Sequence, residues 1–297
     1  MRYLAVTLAL LVGPIAVVDA QQKVDIRRAA APDVSVRLSG AFVSLRISAW
    51  PVDSIALTGA VGAGSRLEGG ALSSDGPVRG MKFYVDGPMD PTVSANRFEL
   101  RVPRGARVWV KTGSADIECN GVGGGVDLNV IGGSIRVNGK PRELLVESMD
   151  GSVHFSGFAD FARVKTATGS IVLEGGGEDL TFTTVSGTIQ AANGERTLQR
   201  ARFESVTGPI TFAGDLPRGA DLRFDTHSGA IELRLGRGAP VELDVTTMTG
   251  TIENGFSAHR PAPGREGRGM ELSTSSGMGA ARVEVKSFKG NVRLAGT

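Results

Sequence analysis

Two glutamates, Glu232 and Glu253, are the side chains in this sequence best placed for chemistry, because they occupy the same position in consecutive copies of a short repeat. If those copies stack as neighbouring strands, the carboxylates stand about 5 Å apart, near the separation that retaining glycosidases use. The ordinary alternative is a pair of solvated glutamates on a strand face, with Arg234 close enough to ease their repulsion. The rest of that column reads Glu118, Arg136, His154, Val172, Gln190 and Thr211, a mixture without the concentration of acids and bases a sugar-cleaving groove needs. Glu232 and Glu253 are therefore weak catalytic candidates, and the sequence presents no stronger ones.

Other residue types do less. His154, His227 and His259 fall in different repeats or in an irregular stretch, so stacking does not gather them around a metal. Asp225-Thr226-His227-Ser228-Gly229 holds the ingredients of a catalytic triad, but strand neighbours alternate faces and cannot converge as one. Gly123-Gly124-Gly125-Val126-Asp127 and Gly175-Gly176-Gly177-Glu178-Asp179 lack the nine-residue period of calcium-binding glycine repeats and read as turns. No metal or cofactor is expected. Cys119, the single cysteine, sits in an apolar column and reads as a buried small hydrophobe.

The elements that carry these residues are set by a repeat. Taking a turn residue as position zero gives Ala115 (a departure from glycine), then Gly133, Gly151, Gly169, Gly187, Gly208, Gly229 and Gly250, spaced first by 18 and then by 21 residues, with Gly290 closing the series. Five residues upstream stand Val110, Leu128, Val146, Val164, Phe182, Phe203, Phe224 and Val245. Three upstream comes Thr or Ser, as in Thr166, Thr184, Ser205 and Thr226, with Val130 the exception. Two downstream runs a β-branched column from Ile117 to Ile252. Alternation of period two means strands with one apolar face.

Apolar positions are odd before the glycine and even after it, so the chain must turn a corner at position zero, and glycine suits a corner that demands positive φ. A second turn near Asn138-Gly139, Gly157 and Glu174-Gly175-Gly176-Gly177 closes each coil. The expected fold is all-β: a single-stranded, right-handed β-solenoid with coils of 18–21 residues over 107–297. Roughly ten coils would give a rod on the order of 50 Å long. An irregular β cap over 33–106 precedes it, and residues 255–269 interrupt it as an exposed loop. The chain ends soon after Gly290, leaving an edge that is either covered by that loop or open to pair with another chain.

One column decides whether the rod has an apolar face. Ile131, Met149, Ala167, Val185, Val206, His227, Met248 and Phe288 lie two residues before the turn. By parity they belong inside, filling the corner. Pointing outward, they would form a stripe suited to a partner.

Composition fits this picture and narrows the classes of function. The chain has 42 glycines and 5% aromatic residues, with Lys+Arg 33 against Asp+Glu 31 and a formal net charge of +2. No block of like charge points to nucleic acid. Residues 1–20 read as a signal peptide: Arg2, an apolar run from Leu4 to Val17, then Val18-Asp19-Ala20 before a cleavage at Gln21. The apolar run is shorter than the ~20 residues of a spanning helix, and no later segment is apolar enough to span a bilayer. Residues 21–32 read as a flexible leader. The mature protein is expected to be exported and soluble.

Val102-Pro103-Arg104-Gly105-Ala106-Arg107-Val108-Trp109-Val110, followed by Ser-Gly-x-Ile repeats, resembles the bacterial "putative adhesin" domain family. Gly40-Ala41-Phe42-Val43-Ser44-Leu45-Arg46-Ile47-Ser48-Ala49-Trp50 is similar to that family's opening strands. The resemblance covers residues 33–297 and implies an exported β-solenoid at the cell envelope. The reading is a non-enzymatic structural or binding protein whose partner is a cell-surface glycan or an envelope protein. A carbohydrate-active β-helix enzyme using Glu232 and Glu253 is the alternative, and a scaffold polymerising through an unpaired terminal coil is a third reading.

Overall fold

A computed structural model describes residues 22–72, 76–88, 95–194, 197–236, 240–264, 267–274 and 278–297, and the segment read as a signal peptide, residues 1–20, lies outside them. The described chain has no helix, and its strands join in one large mixed sheet. The first strands are β1 (Gln22–Gly40), β2 (Ser44–Trp50), β3 (Ser54–Val61), β4 (Arg66–Ala71), β5 (Val78–Asp86) and β6 (Arg97–Pro103). Next come β7 (Arg107–Ser114), β8 (Asp116–Asn120), β9 (Gly125–Gly132), β10 (Ser134–Gly139), β11 (Glu143–Ser148) and β12 (Ser152–Thr166). They are followed by β13 (Ile171–Thr184), β14 (Ile189–Gly194), β15 (Leu198–Ser205), β16 (Ile210–Gly214), β17 (Asp221–Thr226) and β18 (Ile231–Leu235). The last six are β19 (Val241–Thr247), β20 (Ile252–Gly255), β21 (Ala262–Pro263), β22 (Met270–Thr274), β23 (Ala281–Ser287) and β24 (Val292–Gly296).

Most pairings are parallel, and through the middle of the chain they join residues 18 or 21 apart, so like columns lie side by side. Val146 pairs with Val164, Val164 with Phe182, Phe182 with Phe203, and Phe203 with Phe224. The strands before the turn make one stack, and those after it make a second, with Ile135, Val153, Ile171, Ile189, Ile210 and Ile231 in register. The two stacks share one core. Phe212 of the second stack lies 5.8 Å from Phe224 of the first, while Phe203 and Phe224 stack at 5.0 Å. Each such ring pair adds about 0.5–1.5 kcal/mol beyond the area it buries.

Both ends depart from sequence order. At the N-terminal end, β1 lies between β5 and β7, and β2 lies between β6 and β8. At the other end, β23 lies between β17 and β19, and β24 between β18 and β20. The last coil in the sequence is thus not the last in space. The last repeat, read as an edge either covered by the 255–269 loop or open, is hydrogen-bonded on both sides. The outer strand β19 is covered by β22, which runs antiparallel to it. Strands β23 and β24 are therefore not an unpaired edge.

Two further expectations are corrected. Residues 22–29, expected to be a flexible leader, form the first half of β1 and pair antiparallel with β3. Val24 and Ile26 do alternate there, and the Arg27-Arg28-Ala29 run that follows hides it. The corner glycines are required for a different reason from the one expected. Gly133 has positive φ (103°), but Gly151, Gly169, Gly187, Gly208, Gly229, Gly250 and Gly290 do not. Instead, a Cβ on each would collide with a carbonyl oxygen of the corner before it: Gly187 with Gly169, Gly208 with Gly187, Gly290 with Gly229, and Gly250 with Gly290. Close stacking of corners, rather than torsion, selects glycine. Ala115, next to the wider Gly40–Ser44 connection, keeps its methyl group buried without positive φ. The 255–269 stretch is mostly exposed where it is described, and includes the two-residue strand β21.

Candidate functional site: an apolar stripe along the corners

From Gly151 onward the corners place four residues in one pattern. The hydroxyl three before the glycine points in, the next two residues point out, and the glycine is packed against its neighbour. Thr184 shows the inward part: its Oγ1 accepts from the Gly187 N–H at 3.1 Å and lies 2.9 Å from Thr166 Oγ1. Thr226 and Thr247 accept from Gly229 and Gly250 in the same way, at 2.9 and 3.0 Å. These hydroxyls satisfy amide groups that the bend would otherwise leave unpaired.

The outward part is the column whose direction was open in the sequence. It faces solvent: Ile131 is 53% exposed, Met149 62%, Val185 50% and Phe288 46%, with Val206 and Met248 close behind. The parity argument that placed the column inside fails because two consecutive residues turn outward before the glycine. In space the order is Ile131, Met149, Ala167, Val185, Val206, His227, Phe288 and Met248, since the last coil is inserted. At about 4.8 Å per step the stripe is some 34 Å long.

The backbone under the stripe is fixed by hydrogen bonds from one coil to the next. Met149 donates to the Ile131 carbonyl at 3.1 Å, Ala167 to Met149 at 2.9 Å and Val185 to Ala167 at 3.1 Å. Exposed hydroxyls beside it do likewise. Thr207 Oγ1 donates to the Val185 carbonyl and Thr249 Oγ1 to that of Phe288, both at 3.3 Å. Near its C-terminal end the stripe borders a shallow cleft of about 490 Å³ lined by Val206, His227, Met248 and Phe288 among others. There the His227 and Phe288 rings stack at 5.0 Å, 10° from parallel. Asp225 stands at the cleft's edge, where burial first, and then Glu204, push its carboxyl above the usual range.

The residues singled out for chemistry are not gathered. Glu232 and Glu253 both pair in register with Arg293, one on each side, so they are two strands apart rather than one. That is roughly twice 4.8 Å, wider than a retaining pair, and Arg293 occupies the space between. Glu232 is in contact with Arg234 at 2.8 Å, and Glu253 lies 4.0 Å from Arg293. His154 Nε2 is 3.2 Å from Glu174, His227 stacks on Phe288, and His259 is exposed in the 255–269 stretch. Among the described residues no group of three or more His, Cys, Asp or Glu is placed to hold a metal ion. Cys119 is buried between Ile47 and Val137, and desolvation raises its thiol to about 12, so it is an inert core residue.

No protein-family model matches the chain, and no curated protein matches it. Two solved structures are similar to it. A "putative adhesin" from Bacteroides fragilis NCTC 9343 is 8% identical with a TM-score of 0.45, over 94% of this chain and 99% of that one. A "putative cell adhesion protein" from Clostridium sporogenes ATCC 15579 is 7% identical with a TM-score of 0.33, over the same shares. Their names agree with the family the sequence resembles. Likeness at these scores carries no argument about activity, which must come from the stripe itself.

Proposed function

We propose that this chain is an exported, non-enzymatic binding protein, a single-stranded right-handed β-solenoid that holds an envelope protein along its corner stripe. The observation that carries this reading is the exposed column from Ile131 to Met248. Apolar side chains are presented in a line on a hydrogen-bonded backbone. A contiguous exposed apolar surface with a polar rim fits a protein partner. Here the rim consists of the hydroxyls of Thr168, Ser186, Thr207 and Ser228 on one side and Glu147, Lys165, Glu204 and Lys286 on the other. A backbone already fixed before contact lowers the ordering cost of binding. The signal peptide over residues 1–20 supplies the route to the envelope. Within the described residues no helix is long and apolar enough to cross a membrane.

The test compares retention on envelope fractions of the producing cell. The mature protein, a Met149→Lys/Val185→Lys variant and a Glu232→Gln/Glu253→Gln variant are assayed side by side. Stripe charges should abolish retention while leaving the melting temperature unchanged, and the glutamine variant should bind as the parent does. Equal retention of the lysine variant would overturn the reading. The glycosidase alternative has no supporting observation once Arg293 stands between the two carboxylates.

A further inference from the structure

A second site lies on the outer face of the first stack, near its N-terminal end. Outward side chains there form a small grid. One column runs Arg37, Trp109, Asp127 and Leu145 on consecutive strands. The column beside it runs Ser35, Arg107, Gly125 and Glu143. Elsewhere that second column carries Phe161, Asp179, Arg200 and Asp221, so Gly125 leaves a gap one side chain wide. The gap opens into a cleft of about 470 Å³, within the range of small-molecule sites.

The fold does not demand this glycine. Gly125 lacks positive φ, and a Cβ on it would meet only ordinary contacts, 3.6 Å to Arg107 and 4.0 Å to Glu143. That contrasts with the corner glycines, where a Cβ is sterically forbidden. Around the gap, Arg37, Arg107, Asp127 and Glu143 have no side-chain hydrogen bond or ion pair among the described residues. Further along the same face, Arg202 pairs with Glu204, and Arg223 with Asp221 and Glu284. Two guanidiniums and two carboxylates left unengaged around a half-buried indole make a set of donors and acceptors beside a flat apolar surface. Their charges cancel, which suits a neutral ligand.

We propose that the Gly125 gap binds a neutral pyranose ring. The C–H face of the sugar lies on Trp109, its hydroxyls donate to Asp127 and Glu143, and they accept from Arg37 and Arg107. The site is separate from the corner stripe and does not depend on it.

The test is a tryptophan-fluorescence titration of the full mature chain with methyl β-D-glucopyranoside, methyl α-D-mannopyranoside and methyl β-D-galactopyranoside. At least one should give a saturable change with a midpoint of about 1–10 mM, as one shallow site allows, and a Trp109→Phe variant should show no such change. Gly125→Leu fills the gap and should weaken that probe at least about tenfold with its melting temperature preserved. Glu143→Gln, at the rim, should weaken the same probe and gives a second reading if the leucine variant folds poorly. Absence of a saturable change with all three sugars, or unaltered affinity in the filled and rim variants, would overturn the assignment.

Discussion

His227 and Phe288 lie ring on ring, centroids 5.0 Å apart, although they belong to coils that are not consecutive in the sequence. Their contact follows from insertion of β23 and β24 between the coil before and the coil after. Asp225 therefore neighbours Lys286, and Lys286 neighbours Thr246. Paired cysteines test this order. Asp225→Cys/Lys286→Cys should form an intramolecular disulfide, since outward positions on adjacent strands fall within the reach of such a bond. Asp225→Cys/Thr246→Cys, two strands apart, should not. Reducing and non-reducing mass spectrometry of the two variants distinguishes the inserted order from a sequential one.

Glycines of two kinds should respond oppositely to one methyl group. Gly187→Ala places a Cβ against the Gly169 carbonyl and should cost about 1–3 kcal/mol or more, as overpacking does. Gly125→Ala has space and ordinary torsions, and should be neutral or stabilising by up to about 1 kcal/mol through the unfolded state. Urea unfolding measures both.

The hydroxyl column predicts a similar contrast. Thr184→Val removes the acceptor of the Gly187 amide and the partner of Thr166, and should cost about 1–3 kcal/mol for the buried groups left unpaired. Ser205 occupies the same column, but its buried hydroxyl has no partner. Ser205→Ala should therefore cost less than Thr184→Val in the same unfolding assay.

Asp225 makes stability depend on pH in a particular sense. Burial, then Glu204, raise its carboxyl, with Lys286 and Arg202 opposing. The folded state then holds this proton to higher pH than the unfolded chain, whose aspartate titrates near about 3.9. Stability from this group is lost as pH rises from the unfolded value through the folded one. Asp225→Asn should be more stable than the parent at neutral pH, and the difference should vanish on acidification below the unfolded value. Thermal melts across that range measure it; a difference that grows on acidification would contradict the assignment.

Much of the fold was legible because strand pairing repeats side-chain columns. Spacings of 18 and 21 residues put Val146, Val164, Phe182, Phe203 and Phe224 in one ladder. What the spacing could not carry was the order at the ends. Gly229 and Gly250 are 21 apart and fit direct stacking as well as any other pair, so nothing local says that Gly290 lies between them. Glu232 and Glu253 looked adjacent for the same reason. The direction of Met149 and Val185 was hidden because alternation breaks at the corner, where two residues in succession face out. Trp109 was legible as part of a family resemblance. The gap beside it was not, since Gly125 sits in a run of three glycines that reads as a turn.

Insertion of both terminal coils also governs how the molecule bears load. The C-terminal strand is held on both sides, and Thr297 still donates to Leu235. The first half of β1 pairs antiparallel with β3, and its second half lies between two neighbours. A pull along β24 meets two ladders loaded along the strand, so their hydrogen bonds resist together in shear instead of parting singly as in a peel.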